Sequence, residues 1–320
     1  MDKRIRGGIP PKGGIDMNEQ KKSKKKMSTA KKVVLGLFGV ALIVGATIAG
    51  TMAFLRTTTG DPKENVFTSS KDIVLGLDEP SWNWVDANGL ETAHPKHPDK
   101  PNPGNFQPGI TYDKDPFLAN LTGKDATTGE LAEEWVAMRV DYLIDGTAVT
   151  YTNLTTDNKA EGYTSGKAGI IGTITPDSNW YQIPNALVNT INNEKAKYDI
   201  YIYKYKLKAD QNIDDMGDIS TVTGSTSGTA TATTSKLFSS ITIKSQDRLI
   251  ANGWEDGSGE LVLPTKFSIK VKGAAIKHDS GITATEIDTG KISASPSDDD
   301  KKTDSYKIAE ELVKLLKVTP

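Results

Sequence analysis

The chain has 320 residues, of which 36% are hydrophobic, 25% charged and 7% aromatic, enough for one large or two modest domains with a core of Val, Ile and Leu and scattered Tyr. It has no cysteine and three histidines, which removes disulfide scaffolds, thiolate metal sites, Fe–S clusters and cysteine nucleophiles and leaves little for a zinc centre or a Ser-His-Asp triad. The net charge of -2 hides an asymmetry: the first 53 residues hold eleven Lys or Arg and three acids, leaving a body near -10 that would repel a phosphate backbone.

Residues 1–32 form a basic leader that includes the run from Lys21 to Lys26, with Met1, Met17 and Met27 all open as starts. From Val33 to Leu55 no charge occurs across 23 residues, so the segment is either an export signal or a membrane span. Its Gly and Ala content and the small residues Thr51 and Ala53, at -3 and -1 of a cut before Phe54, favour a cleaved signal over residues 33–53. A cysteine-free exported chain fits a Gram-positive exterior better than a eukaryotic secretory route.

Beyond Phe54 a mature N-terminal segment over 54–70 precedes a β domain over 71–290. In EWVAMRVDYLI, Val136, Met138, Val140, Tyr142 and Ile144 share one face and Ala137, Arg139 and Asp141 the other. YDIYIYKYKLK places Tyr201, Tyr203, Tyr205 and Leu207 opposite Ile200, Ile202, Lys204 and Lys206, and FSIKVKG sets Phe267, Ile269 and Val271 against Ser268, Lys270 and Lys272. Each segment reads as a strand with one dry and one wet face. Shorter strands are expected at Asp72 to Leu77, Phe117 to Leu121, Ala148 to Tyr151, Ala168 to Ile174, Leu237 to Lys244 and Glu260 to Leu263. The expected fold class is all-β, an antiparallel β-sandwich of jelly-roll type. A short helix starts near Asn185, and two polar insertions, His94 to Gly104 and Gly217 to Ser235, lack structure of their own. Residues 291–303 read as a charged linker to an amphipathic helix over 304–320, with Ile308, Leu312 and Leu315 on one face. That helix either docks on the sandwich or engages a partner or a surface.

The junction GTMAFLRTTTGDPKENVFTSSKDIVLGLDE resembles the processing region of the TasA/camelysin-like family, exported with a SipW-dependent signal peptide. QPGITYDKDPFLAN, TSKLFSSITI and FSIKVKGAAI are similar, in that order, to later segments of the same family. The resemblance implies cleavage between Ala53 and Phe54 by a SipW-type signal peptidase, a jelly-roll body, and localisation outside the cell as a biofilm-matrix or surface protein. In TasA-like members it further implies fibre assembly by donor-strand complementation, a form of β-augmentation. The candidate donor here is Phe54 to Ser69, with Phe54, Leu55, Val66 and Phe67 as anchors and a hydrophilic centre at Thr57, Thr58, Thr59 and Gly60.

The same relatives supply an enzyme alternative, a camelysin-like surface metalloprotease. Zinc hydrolysis commonly needs two His one helical turn apart with a Glu between them, and this chain has no HExxH; His94 and His97 lie in a Pro-rich stretch and His278 is distant. DANG at Asp86 and EDGSGE at Glu255 are fragments of calcium loops and read as turns. LPTKF from Leu263 lacks the Gly and following span of a sorting signal, and the NLT triplets at Asn120 and Asn153 matter only in a eukaryotic route. Tyr201, Tyr203 and Tyr205 form either a packed ladder or an aromatic binding stripe. The expectation is a secreted, non-enzymatic structural protein without cofactor or nucleic-acid partner, which self-assembles and meets the membrane only through its leader before cleavage. A membrane-tethered adhesin that keeps residues 33–55 is the third reading.

Overall fold

The computed structural model divides into two compact units, Met1–Ala53 and Phe54–Pro320. It describes residues 73–80, 106–123, 131–157, 166–278 and 282–317, together with the backbone of 56–58, 66–68, 84–85 and 91–92, all in the second unit. In chain order the strands are β1 (Arg56–Thr58), β2 (Val66–Thr68), β3 (Val74–Asp78), β4 (Trp84–Val85), β5 (Glu91–Thr92), β6 (Thr111–Asp113), β7 (Phe117–Asn120), β8 (Glu133–Ile144), β9 (Thr147–Val149), β10 (Trp180–Gln182), β11 (Tyr198–Tyr203), β12 (Leu207–Lys208), β13 (Ser240–Thr242) and β14 (Phe267–Lys277). The helices are α1 (Tyr151–Thr155), α2 (Asn185–Asn192), α3 (Gln246–Ala251) and α4 (Asp304–Leu315).

Every strand pair named here is antiparallel, and the protein is β-rich. The main sheet runs β1-β14-β8-β11-β10, with β9 and β12 also paired to β8, and a three-stranded sheet runs β2-β3-β7. β14 pairs along its full length with residues 134–144 of β8, from Phe267 opposite Ile144 to Lys277 opposite Glu134. β8 turns into β9 through Asp145 and Gly146 with φ of 48° and 78°, the left-handed pair that a two-residue hairpin requires.

The main sheet is dry on both faces, unlike the one-sided pattern expected from the alternation. On one face Val136, Met138, Val140, Tyr142, Ile269, Val271, Tyr201 and Tyr203 pack with Ile73, Leu75, Leu77 and Leu118 of the smaller sheet's β3 and β7 and their flanks. On the other, Trp135, Ala137, Ile200, Ile202, Ala274 and Ile276 are covered by Leu187 and Val188 of α2 and by Ile308, Ala309, Leu312 and Val313 of α4. The C-terminal helix is therefore a docked layer of the fold. Its N-terminus is capped by Thr303, which accepts from the Tyr306 amide, and its carboxyl end is met by Arg139, whose Nη1 donates to the Leu316 carbonyl at 2.9 Å. Arg139 sits on the face expected to be wet, yet it is buried: its Nε donates to Asp141 at 2.9 Å and its Cζ lies 3.6 Å from the centroid of the Tyr198 ring.

The expected linker and one of the two expected insertions are ordered. The stretch 291–303 holds two 3₁₀ turns, with Lys291 paired to Asp300 at 3.0 Å and Ser297 Oγ donating to Asp300 at 2.6 Å. In the tract from Gly217 to Ser235, the second half lies along β7: the Asn120 amide donates to the Ala232 carbonyl at 2.8 Å and the Thr234 amide to the Leu118 carbonyl at 2.9 Å. Ser225, Thr233 and Thr234 are buried there, and hydroxyls supply local partners, such as Ser225 Oγ, which accepts from the Thr231 amide at 2.9 Å. The helix expected near Asn185 forms. Ala168 to Ile174 forms only one bridge, Ile171 with Ile243, because its Gly169 and Ile171 amides donate to the Thr156 and Leu154 carbonyls at the end of α1, at 2.9 and 3.0 Å, an approach so close that a Cβ on Gly169 would stand 2.2 Å from the Leu154 carbonyl oxygen. Glu260 to Leu263 likewise gives one bridge, from Leu261 to Glu255.

Candidate assembly edge

The candidate donor segment meets the domain at two edges. β1 lies at the outer edge of the main sheet, with Arg56, Thr57 and Thr58 opposite Ile276, Ala275 and Ala274 of β14. β2 lies at the outer edge of the smaller sheet, with Val66, Phe67 and Thr68 opposite Gly76, Leu75 and Val74 of β3. Both pairings are made within the same chain. Thr, Val and Phe favour a pleated backbone, and three residues per strand make each contact short. Of the expected site residues, Val66 and Phe67 are thus in β2, whereas Thr51, Ala53, Phe54 and Leu55 lie outside the described residues.

Beneath these edges a buried polar joint ties the smaller sheet to the main one. The Val74 amide donates to Thr122 Oγ1 at 2.7 Å, and Thr122 Oγ1 donates to Glu134 Oε1 of β8 at 2.6 Å. The Leu121 amide donates to the Val74 carbonyl at 2.9 Å. Asn120 accepts from the Thr122 amide at 3.0 Å and donates to the carbonyls of Ala132 at 3.1 Å and Leu207 at 3.4 Å. Glu134 is fully buried, and its Oε2 has no hydrogen-bond partner. Burial pushes its carboxyl up to about 8, against a smaller lowering by the Thr122 hydrogen bond. Alternation places Glu134 on the inward parity of Val136 and Met138, a position the sequence reading did not assign.

On the other parity, Glu133 pairs with Lys206 at 2.5 Å, and the His278 amide donates to the Glu133 carbonyl at 2.7 Å. His278 Nδ1 accepts from Trp135 Nε1 at 3.2 Å, so this ring is engaged in packing and hydrogen bonding. His94 and His97 lie outside the described residues, as does Asp86. Among the described residues no group of three or more His, Asp or Glu converges where a metal ion could be held. EDGSGE is a turn closed by Asp256, which accepts from the Ser258 and Glu260 amides at 2.8 and 3.0 Å.

The tyrosine stripe splits. Tyr201 and Tyr203 are buried, with Tyr203 edge-on to Trp180 at 4.9 Å, and Tyr205 is half-buried against Tyr203 at 6.0 Å, a packed ladder facing the core. Nearby, Asp199 accepts from Tyr142 at 2.9 Å and Asn185 at 3.1 Å, and burial raises its carboxyl above the usual range. Asn120 is buried and Asn153 serves the N-cap of α1, so neither NLT triplet presents a free acceptor amide. A groove of about 540 Å³ is lined by Asp78, Phe117, Met216, Ile219, Val222 and Lys236, and its Lys236 is held by Asp115 at 2.8 Å.

Comparison with models of protein families, with curated proteins and with solved structures finds no match.

Proposed function

We propose that this chain is a secreted, non-enzymatic structural protein of the bacterial cell surface or extracellular matrix, released by cleavage between Ala53 and Phe54 and assembling through its N-terminal segment. The observation that carries this reading is the position of β1 and β2: both are short edge strands, both come from the segment that cleavage before Phe54 would place first, and each completes a different sheet. An edge strand is the element most easily exchanged between copies, because the same backbone hydrogen bonds form in trans as in cis. The two packed β layers fit the sandwich of jelly-roll type that the resemblance to TasA-like proteins implies, with α2 and α4 as an added layer.

Exchange has a physical cost. Tethering gives the intramolecular strand an effective concentration on the order of millimolar, so the closed monomer dominates until the segment is freed or subunits are concentrated. Amino-terminal sequencing of the exported protein should give Phe54 first, and an intact leader would sink the cleavage reading. Deleting 54–69 from the exported chain should leave a folded monomer that no longer forms fibres under conditions where the parent does. Fibres persisting after that deletion would exclude the segment as donor.

A further inference from the structure

We propose that Glu134 is a pH-sensitive latch for the N-terminal segment, holding β2 on its sheet while its carboxyl is neutral and loosening it when it ionises. This rests on reading that segment as exchangeable. The joint described above connects Glu134 to the attachment point of β2. Through Thr122 it reaches Val74, the residue opposite Thr68 of β2.

The lack of solvent and of a donor to Oε2 favours the neutral form and outweighs the Thr122 hydrogen bond, which favours the carboxylate. A protonated Oε1 can donate to Thr122 Oγ1, which turns its own proton toward the Val74 carbonyl at 3.4 Å, leaving only a carbonyl-type Oε2 unpaired. In the ionised form a full carboxylate keeps one hydrogen bond, and Oε2 carries charge with no donor in a site without solvent exposure. The charged groups nearby leave this unchanged. Lys277 of β14 stands opposite, yet no donor reaches Oε2; Lys206 and His278 engage Glu133, which lies on the other face of β8; Lys208 of β12 stands opposite Glu133. β7 and its flank contribute uncharged Asn120 and Thr122, and on β3 the acid, Asp78, is at the far end of the strand from Val74. Parting β3 and the Thr122 turn from β8 would admit water to the ionised group, and that contact is the one that supports β2.

The sign follows from linkage. A carboxyl held at about 8 in the closed state and near 4.5 when solvated favours closure fully below pH 4.5, and this contribution is lost as pH rises toward 8. The test mixes the full chain with an N-acetylated, fluorescein-labelled peptide of residues 54–69 and follows capture by anisotropy from pH 6 to pH 9. Capture by the parent should accelerate by up to about tenfold per pH unit and level off near pH 8. Glu134→Gln should flatten the profile, with Glu134→Leu as a second neutral variant should Gln fail to fold. An unchanged profile in a folded neutral variant, a flat parent profile, or no capture at any pH overturns the latch. Fibre formation is scored separately: the expected capture profile without fibres sinks the assembly reading and keeps the latch, and fibres with a flat profile do the reverse.

Discussion

Truncating Arg139 to alanine removes the one cation that joins the main sheet to the end of α4 among the described contacts. Its side chain is 8% exposed, so its interactions are weakly screened, whereas Asp141 at 27% can regain water. The charge-assisted hydrogen bond to the Leu316 carbonyl contributes about 1.5–3 kcal/mol, and the contact with the Tyr198 ring adds about 1–2 kcal/mol. With Asp141 discounted, Arg139→Ala should destabilise the protein by about 3–4 kcal/mol. Arg139→Lys keeps the charge but loses the fork that serves Asp141 and Leu316 together, and should cost about half as much. Urea unfolding at neutral pH measures both, with unchanged m-values licensing the comparison. An Arg139→Ala variant within about 0.5 kcal/mol of the parent would refute the reasoning; so would a lysine variant as unstable as the alanine one, since the retained charge would then count for nothing.

Two further substitutions probe the packing. Leu312→Ala empties a fully buried site between α4 and the sheet and should cost about 2–5 kcal/mol in the same assay, while exposed Lys307→Ala on the same helix stays within about 0.5 kcal/mol. Gly253→Ala places a Cβ 2.0 Å from the Gly166 carbonyl oxygen at a φ of +88°, and should lower stability by about 3 kcal/mol or more. Gly172→Ala, with no positive φ and nothing nearer than 3.8 Å, is its calorimetric control.

Strand parity in β8, β11 and β14 was legible from alternation alone, as were the helices near Asn185 and at the C-terminus. What alternation could not supply was the medium on each side. Ala137, Ile200 and Ile202 lie on faces that carry Arg and Lys in the same segments, so those faces read as wet; α2 and α4 cover them, and Arg139 is tolerated because Asp141, Tyr198 and Leu316 satisfy it. Composition misled in the Ser/Thr tract, where hydroxyls and a strand-like run along β7 pair the backbone inside the fold. The joint at Glu134 was missed for a related reason: an acid at an inward position looks like a break in a stripe until its neighbours are known.

The pairing of β8 with β14 joins residues more than a hundred positions apart, and the second core closes only when α4, at the C-terminal end, arrives. A nascent chain therefore has its central strand early and must wait for residues Asp304–Leu315 before that strand can be covered on both sides, which makes folding slow and late. For a polypeptide threaded outward through a membrane that delay is useful. On the export route proposed above, it would let collapse follow translocation instead of obstructing it.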